Sequence, residues 1–252
     1  MRFSVLSSGS KANSTFVEAG GVRLLIDCGL TAKETEERLF KATGLTADAL
    51  DGVLVTHEHS DHVRGLSVLT RRFKIPVYCN RKTRRRLEKV YAVEEFTNEE
   101  TFWIGSVRIR SFSIAHDAVD PVGFTLEAEG LKFSQVTDLG RVTEGVRDAI
   151  RDSHALVIES NHDQEMLRTC SYPSELKQRI ASSHGHLCNE TTGALVKEVY
   201  HRELQHVVLG HISENSNTPA LALSTFERYV PRESLKSLRA GSVYQSTEVT
   251  DL

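Results

Sequence analysis

Apolar and polar residues follow two rhythms along the chain. Short runs rich in β-branched and aliphatic residues come first, at residues 3–6, 15–18 and 22–27, separated by SSGSKANS and by Gly20-Gly21. Runs of this length, bounded by glycine and small polar residues, predict strands. Residues 33–43 shift to a helical rhythm, with acidic and basic residues on one face and Leu39 and Phe40 on the other. A short buried strand is expected at residues 53–55, and Val77-Tyr78 after Pro76 begins another. Residues 107–114, 122–127 and 131–136 read as a meander turned at Glu129-Gly130, followed by an apolar strand at 155–159. In the second half, 174–181 and 191–204 read as helices, the first starting just after Pro173. A strand at 206–209, a helix at 219–229 and a last strand at 242–249 complete the pattern. No repeat, low-complexity stretch or long linker interrupts it. Mixed strands and helices with early hairpins imply an α+β architecture of packed sheets with helices outside, as one domain over 1–252.

Composition changes this picture little. The chain has 252 residues, 39% apolar and 26% charged, which is ordinary for a soluble domain able to bury a core. A net charge of −3 exerts no global pull on nucleic acid, so any such pull must be local. The opening MRFSVLSSGS enters strand-like sequence at once, and no run of 18 apolar residues exists. The expectation is a cytoplasmic protein that does not span a membrane. Cys28, Cys79, Cys170 and Cys188 are widely spaced and form no CxxC pair, so reduced thiols acting as small buried hydrophobes are expected.

The chemistry concentrates in VLVTHEHSDH. His57, His59, Asp61 and His62 place four candidate ligands in a short loop after a buried strand. Alternate side chains on such a loop converge on one point while their neighbours face a second. Imidazole nitrogen with carboxylate oxygen suits a borderline divalent metal such as zinc, manganese or iron.

This HxHxDH after a hydrophobic strand resembles the signature of the metallo-β-lactamase superfamily. Asp27 in LIDCGL, His116 in SIAHDAVDPVGF, Asp138 in VTDLG and His211 in LGHISENSN resemble its remaining motifs in order, and the likeness runs from Ser7 to Asn217. The resemblance implies an αββα four-layer sandwich holding two divalent ions. It assigns His57, His59 and His116 to one metal and Asp61, His62 and His211 to the other. Asp138 would bridge them, and Asp27 would orient the loop without touching metal. Two such ions activate a water between them near neutral pH and grip phosphoryl oxygens, which suits phosphoester hydrolysis. Asp61 and Asp138 are therefore expected to be catalytic as well as ligating.

Within the superfamily, secreted β-lactamases are disfavoured by the start of the chain and by Asp138 in the bridging place. The segment after His211 leaves little room for the helical tail of glyoxalase II. That between Asp138 and His211 is too short for a β-CASP insertion, and no Gly-Pro-rich arm like that of tRNase Z is visible. SSGSKANS, HDAVDPVGF, TDLG, IESNHD, SSHGHLCN and LGHISENSN together resemble the YycJ (WalJ) family, which is associated with DNA exonuclease action. Ala12 departs from it by standing where a glycine is expected, and so questions the backbone of the first loop.

Residues near the motifs are candidates for substrate. Ser8, Gly9, Ser10 and Asn13 form a polar loop whose N–H groups can cradle a phosphate, or simply turn between strands. His184, His186 and Asn189 lead into a helix whose N-terminus favours an anion. Among them His186 is the candidate to contact the scissile phosphate or protonate the leaving oxygen. Asn161 and His162 follow a buried strand and are expected in the same cleft. Between Arg71 and Lys89 stand nine Lys or Arg and one acid. Arg81, Lys82, Arg84, Arg85 and Arg86 form either a phosphate-contacting patch or a solvated helix face. The reading is a two-metal phosphodiester hydrolase acting on DNA as an exonuclease. Alternatives are a phosphodiesterase for cyclic or modified nucleotides, a thioester or lactone hydrolase, and a non-enzymatic metal-bearing regulator. No protein partner is indicated.

Overall fold

In the computed structural model, which describes residues 1–252, two seven-stranded sheets are built on the same plan. In the first, β1 (Arg2–Ser7), β2 (Ser14–Ala19) and β3 (Val22–Ile26) pair antiparallel. From β3 onward, β4 (Gly52–Leu54), β5 (Pro76–Asn80) and β6 (Ala92–Phe96) join in parallel. In the second, β7 (Thr101–Ile104), β8 (Val107–Ser113), β9 (Val122–Ala128) and β10 (Leu131–Val136) form the antiparallel half. Its parallel half is β11 (Ala155–Glu159), β12 (His206–Gly210) and β13 (Ser237–Ala240). The chain returns to the first sheet through β14 (Thr250–Asp251) at the edge of β1.

Nine α-helices connect the strands. They are α1 (Ala32–Thr43), α2 (Ser60–Val63), α3 (Leu66–Phe73), α4 (Arg81–Arg84), α5 (Glu144–Ile150), α6 (Gln164–Thr169), α7 (Ser174–Ile180), α8 (Asn189–Val199) and α9 (Pro219–Glu227). Three apolar clusters define the layers. Phe3, Val5, Leu24 and Ile26 meet Phe124, Leu126, Phe133, Val157 and Val208 between the sheets. Leu25, Val53 and Val77 face outward onto Leu39 of α1 and Leu66 and Leu69 of α3. Leu156, Ile158, Val207 and Leu209 face outward onto α5, α8 and α9 through Ile150, Val196 and Phe226. The inner parallel strands β3, β4, β11 and β12 are therefore largely buried on both faces, which is why they read as continuous runs rather than alternation. The result is the αββα sandwich.

Several expectations need correction. Phe40 is 59% exposed, because the buried stripe of α1 runs through Ala32, Thr35 and Leu39 and passes it by. The helix expected to reach residue 204 ends at Val199, where Tyr200 turns extended to deliver β12. Residues 242–249 are not a strand. They are tied to β1 by Thr247, whose N–H bonds the Val5 carbonyl and whose carbonyl accepts from the Ser4 hydroxyl, and Arg38 donates to the Val243 carbonyl. The strand of that region lies earlier, as β13. Edge strands β6 and β7 are hard to read from sequence because AVEEF is interrupted by two exposed acids and TFWI is only four residues long. Ala12 costs the first loop nothing: it is not among the positive-φ residues, and Gly9 takes that conformation instead, at φ 146°.

Candidate metal centre

The C-terminal ends of the parallel strands deliver the chemistry. In β3 and β4, Ile26 pairs with Leu54, so Asp27 lies beside the Thr56-His57 stretch. In β11 and β12, Glu159 pairs with Gly210, so His211 emerges next to it, and Val136 of β10 pairs with Ile158. Asp27, Asp138 and His211 all adopt left-handed backbone, at φ 63°, 62° and 51°. Non-glycine residues hold such angles only where their surroundings enforce them. At His211 the N–H is pinned by the Ser8 hydroxyl at 2.8 Å. Gly29 of LIDCGL packs so closely under the HxHxDH loop that a Cβ there would overlap the Asp61 carbonyl oxygen.

Four overlapping groups of donors result. His57, His59 and His116 form one, Asp61, His62 and His211 a second, His57, His62 and Asp138 a third that links them, and Asp138, Glu159, His186 and His211 a fourth; within each, donor atoms lie within 4.8 Å of one another. The Asp138 carboxylate faces both ways, with Oδ2 at 3.3 Å from His62 Nε2 and Oδ1 at 3.2 Å from His211 Nε2. The Nε2 atoms of His57 and His211 and Oδ2 of Asp138 are buried without an aligned hydrogen bond. Each such orphan costs about 1–3 kcal/mol. Divalent cations held by these overlapping groups would satisfy the orphaned atoms, and the imidazole–carboxylate set is one such ions accept, so the residues fit the metal that the family resemblance implies.

The charges are tuned by the same crowding. Burial, reinforced by His62, holds the His57 pKa well below the usual imidazole range, so its lone pair is free. Burial opposes the charge on His62, but Asp27 and Asp138 outweigh it and raise the pKa well above normal. At His211 burial again opposes, and Asp138, Asp61 and Glu159 carry the value up to about 10. Asp138 resists burial because His211 and His62 hold it well below the carboxylate range.

Two buried carboxylates stand behind these groups. Asp27 accepts from the Thr56 N–H and hydroxyl at 2.9 and 2.8 Å and lies 2.7 Å from His62 Nδ1, which leaves Nε2 to the centre. Glu159 was not anticipated. It accepts from the Leu139 and Leu187 N–H groups at 3.1 and 3.0 Å and from His186 Nδ1 at 2.7 Å, and lies 3.3 Å from His211 Nδ1. Burial raises its pKa, but His186 and His211 outweigh that and hold it to about 2. Its signal was present: an acid closing the wholly apolar strand ALVIE, inside IESNHD.

A cavity of about 290 Å³ opens over the centre, lined by His59, Asp61, His116, Asp138, His186 and His211 together with Ser10 and Asn161. His186 stacks on His211, ring centroids 4.9 Å apart. Asn161 donates to the His211 carbonyl at 2.8 Å. Other expected substrate residues lie elsewhere. His184 is exposed beside a separate groove with Glu99 and Arg141. His162 is buried away from the cavity, and burial pushes its pKa down to about 4. Asn189 bonds Ser160 and Asn217 beneath the site, and the start of α8 is anchored to Glu159 through Leu187 rather than open to an anion. In the first loop only Ser10 reaches the cavity. Ser8, Gly9, Ala12 and Asn13 spend their N–H groups on Ser242, Asn13, Gly9 and Asp61. The Asn13 side chain instead supports the centre, 3.1 Å from Asp61 Oδ2 and 3.0 Å from His62 Nε2.

The Beta-lactamase superfamily domain matches residues 22–212. The chain belongs to the metallo-β-lactamase superfamily. It is 39% identical to the exodeoxyribonuclease YycJ of Bacillus anthracis, over 88% of this chain and 86% of that protein. It is 34% identical to the exodeoxyribonuclease WalJ of Streptococcus pneumoniae, over 93% of this chain and 90% of the relative. Among solved structures, YhfI of Bacillus subtilis superposes with a TM-score of 0.77 at 15% identity, covering 99% of this chain and 98% of that one. The short form of human tRNase Z superposes at 0.69 with 18% identity over 100% of both chains. At those identities the likeness speaks for the superfamily fold alone.

The basic stretch lies outside the superfamily's ligand motifs. Arg81, Lys82, Arg85 and Arg86 are exposed on and just after α4, Arg84 is half-buried, and none of the five lines the cavity. The start of α4 is nonetheless tied to the loop that follows His116. Asn80 donates to the Asp120 carbonyl at 2.7 Å, and Lys82 lies 3.6 Å from the Asp120 carboxylate.

Proposed function

We propose that the chain is a divalent-metal-dependent phosphodiester hydrolase acting as a DNA exonuclease, one catalytic domain over 1–252. The observation that carries the chemistry is the clustering of His59, Asp61, His116, Asp138 and His211 along one open cavity with His57 and His62 buried beneath it, and buried donor atoms left unpaired. DNA as substrate is supported by the two relatives named exodeoxyribonucleases, each aligned over most of both chains. A cytoplasmic setting agrees with four free cysteines, and no helix is long and apolar enough to cross a membrane.

Two ions fit the donor set, one at His57, His59 and His116, the other at Asp61, His62 and His211, with Asp138 shared. Zinc, manganese and iron all suit it. Such ions supply Lewis-acid polarisation of the phosphoryl oxygens and acidify a water for attack. The chain's own groups do the rest. Asp138 sets the spacing of the two ligand groups. Asp27 fixes the His62 ring so that Nε2 faces inward. Glu159 holds His186 through Nδ1, leaving Nε2 as the nitrogen that donates a proton to the departing oxygen. Asn161 and Ser10 offer polar contacts along the cavity wall.

The test is hydrolysis by purified protein reloaded separately with manganese and zinc. The substrates are end-labelled double- and single-stranded DNA, RNA and a chromogenic phosphodiester. Progressive shortening of DNA from one end, abolished in Asp138→Asn, is the expected result. Turnover of the small diester alone would replace this reading with a nucleotide phosphodiesterase. Inactivity toward every phosphate ester, with metal bound, would turn attention to thioesters and lactones.

A further inference from the structure

One wall of the cavity is unlike the rest. Opposite the acids and histidines, α7 and the residues leading into it contribute Tyr172, Leu176, Arg179 and Ile180. Leu176 and Ile180 are the only aliphatic residues beyond glycine along the lining, and Arg179 is its only Lys or Arg. The guanidinium is held in place: Nε and Nη2 both donate to Asp117 Oδ2 at 2.6 Å, and Asp117 follows His116 directly in the chain. Nη1 has no protein partner. Tyr172 is also fixed, its hydroxyl accepting from the Asn215 amide at 2.8 Å on the loop after His211. Two of the loops that carry candidate ligands, those of His116 and His211, therefore brace this wall.

We propose that this wall is the subsite for the terminal nucleotide of the substrate. Leu176, Ile180 and Tyr172 form an apolar and aromatic surface of the kind that accepts a base and sugar. Arg179 supplies the one fixed cation for the phosphate next to the scissile one, which the ligand acids would otherwise repel. The cavity, about 290 Å³, has room for roughly one nucleotide. The proposal rests on the phosphodiesterase reading above and names which part of the cavity selects a nucleotide over a bare diester.

Three substrates separate the two ideas: a DNA oligonucleotide, the p-nitrophenyl ester of thymidine 5′-monophosphate, and bis(p-nitrophenyl) phosphate. Each is followed as kcat/KM with wild type, Arg179→Ala and Leu176→Asp. Arg179 is exposed and Leu176 half-buried, so both variants should fold, and a melting curve checks this. Arg179→Ala is expected to lose about tenfold or more on DNA relative to its change on bis(p-nitrophenyl) phosphate. Leu176→Asp should lower the preference for the thymidine ester over the bare diester by a similar factor. Arg179→Lys should recover part of the DNA loss, since charge remains but the fork does not. If either variant depresses all three substrates equally, the wall is not a nucleotide subsite. A wild type inert toward all three would instead overturn the phosphodiesterase reading.

Discussion

Asp138 and Glu159 are both buried carboxylates at strand ends, yet they face different duties. Asp138 sits between the ligand groups, 3.2–3.3 Å from His211 and His62 and 4.0 Å from His116 Nε2, with Oδ2 lacking an aligned hydrogen bond. Glu159 does not line the cavity and spends its oxygens on three backbone N–H groups, of Asp138, Leu139 and Leu187, and on the Nδ1 atoms of His186 and His211. Their substitutions should therefore differ in kind. Asp138→Asn is expected to lose at least one bound metal, read by elemental analysis, and to fall to background activity. Glu159→Gln should keep more metal but lose about ten- to hundredfold in kcat, because His186 loses the partner that fixes its ring. Equal metal loss in the two variants would show that Glu159 acts on the ligands rather than through His186. Asp138 was readable because it follows an apolar strand inside a family phrase. Glu159 is visible in the sequence only as an acid closing an apolar strand, because its importance lies in what β10, β12 and the His186 loop bring to it across the fold.

Individual elements tell the same story at larger size. Strands β1–β3 and the β8–β10 meander match their expected positions closely, since local alternation and turn residues specify them. The two residues at Glu129-Gly130, with φ 55° and 76°, form the left-handed turn such a hairpin demands. Element α4 shows the limit. Its basic run was legible, but not that the Asn80 side chain caps it by accepting from the Thr83 N–H, or that Asp120 ties it to the His116 loop. Arg85 and Arg86 are exposed and form no ion pair, whereas the nearby acid Glu99 is paired with Arg110. Replacing both by alanine should weaken DNA binding and flatten its dependence on salt, with little change toward a small diester. An unchanged salt slope would make this stretch a solvated surface and nothing more.

Across the whole molecule, the centre brings together charges that a metal-free fold must balance with protons. His211, raised from 6.5 to about 10, and His62, also raised, carry protons at neutral pH when no metal is bound. Metal needs their neutral forms, so loading should release protons, and apparent affinity should rise with pH, by up to about tenfold per unit for each proton displaced. Calorimetry in buffers of differing ionisation enthalpy measures that release; a titration with none would contradict the charge assignment. The sign for stability follows. A histidine raised from 6.5 to about 10 stabilises the metal-free fold fully below pH 6.5, and that contribution is lost as pH climbs toward 10. The chelated protein should melt at lower temperature at pH 9 than at pH 6.5, and His211→Asn should shrink the difference.

By itself the sequence determined the strand-rich sandwich, the order of its motifs and which side chains are candidate ligands, because these depend on local periodicity and on residue types adjacent in the chain. The tertiary structure decided which neighbours of those motifs face the cavity. His186 and Asn161 do, while His162, His184 and Asn189 do not. It also decided that Glu159 underpins the site and that Arg179 reaches it. The reason is geometric: facing direction at a strand end is set by left-handed turns at Asp27, Asp138 and His211 and by packing against loops distant in sequence. No single stretch of chain encodes those constraints.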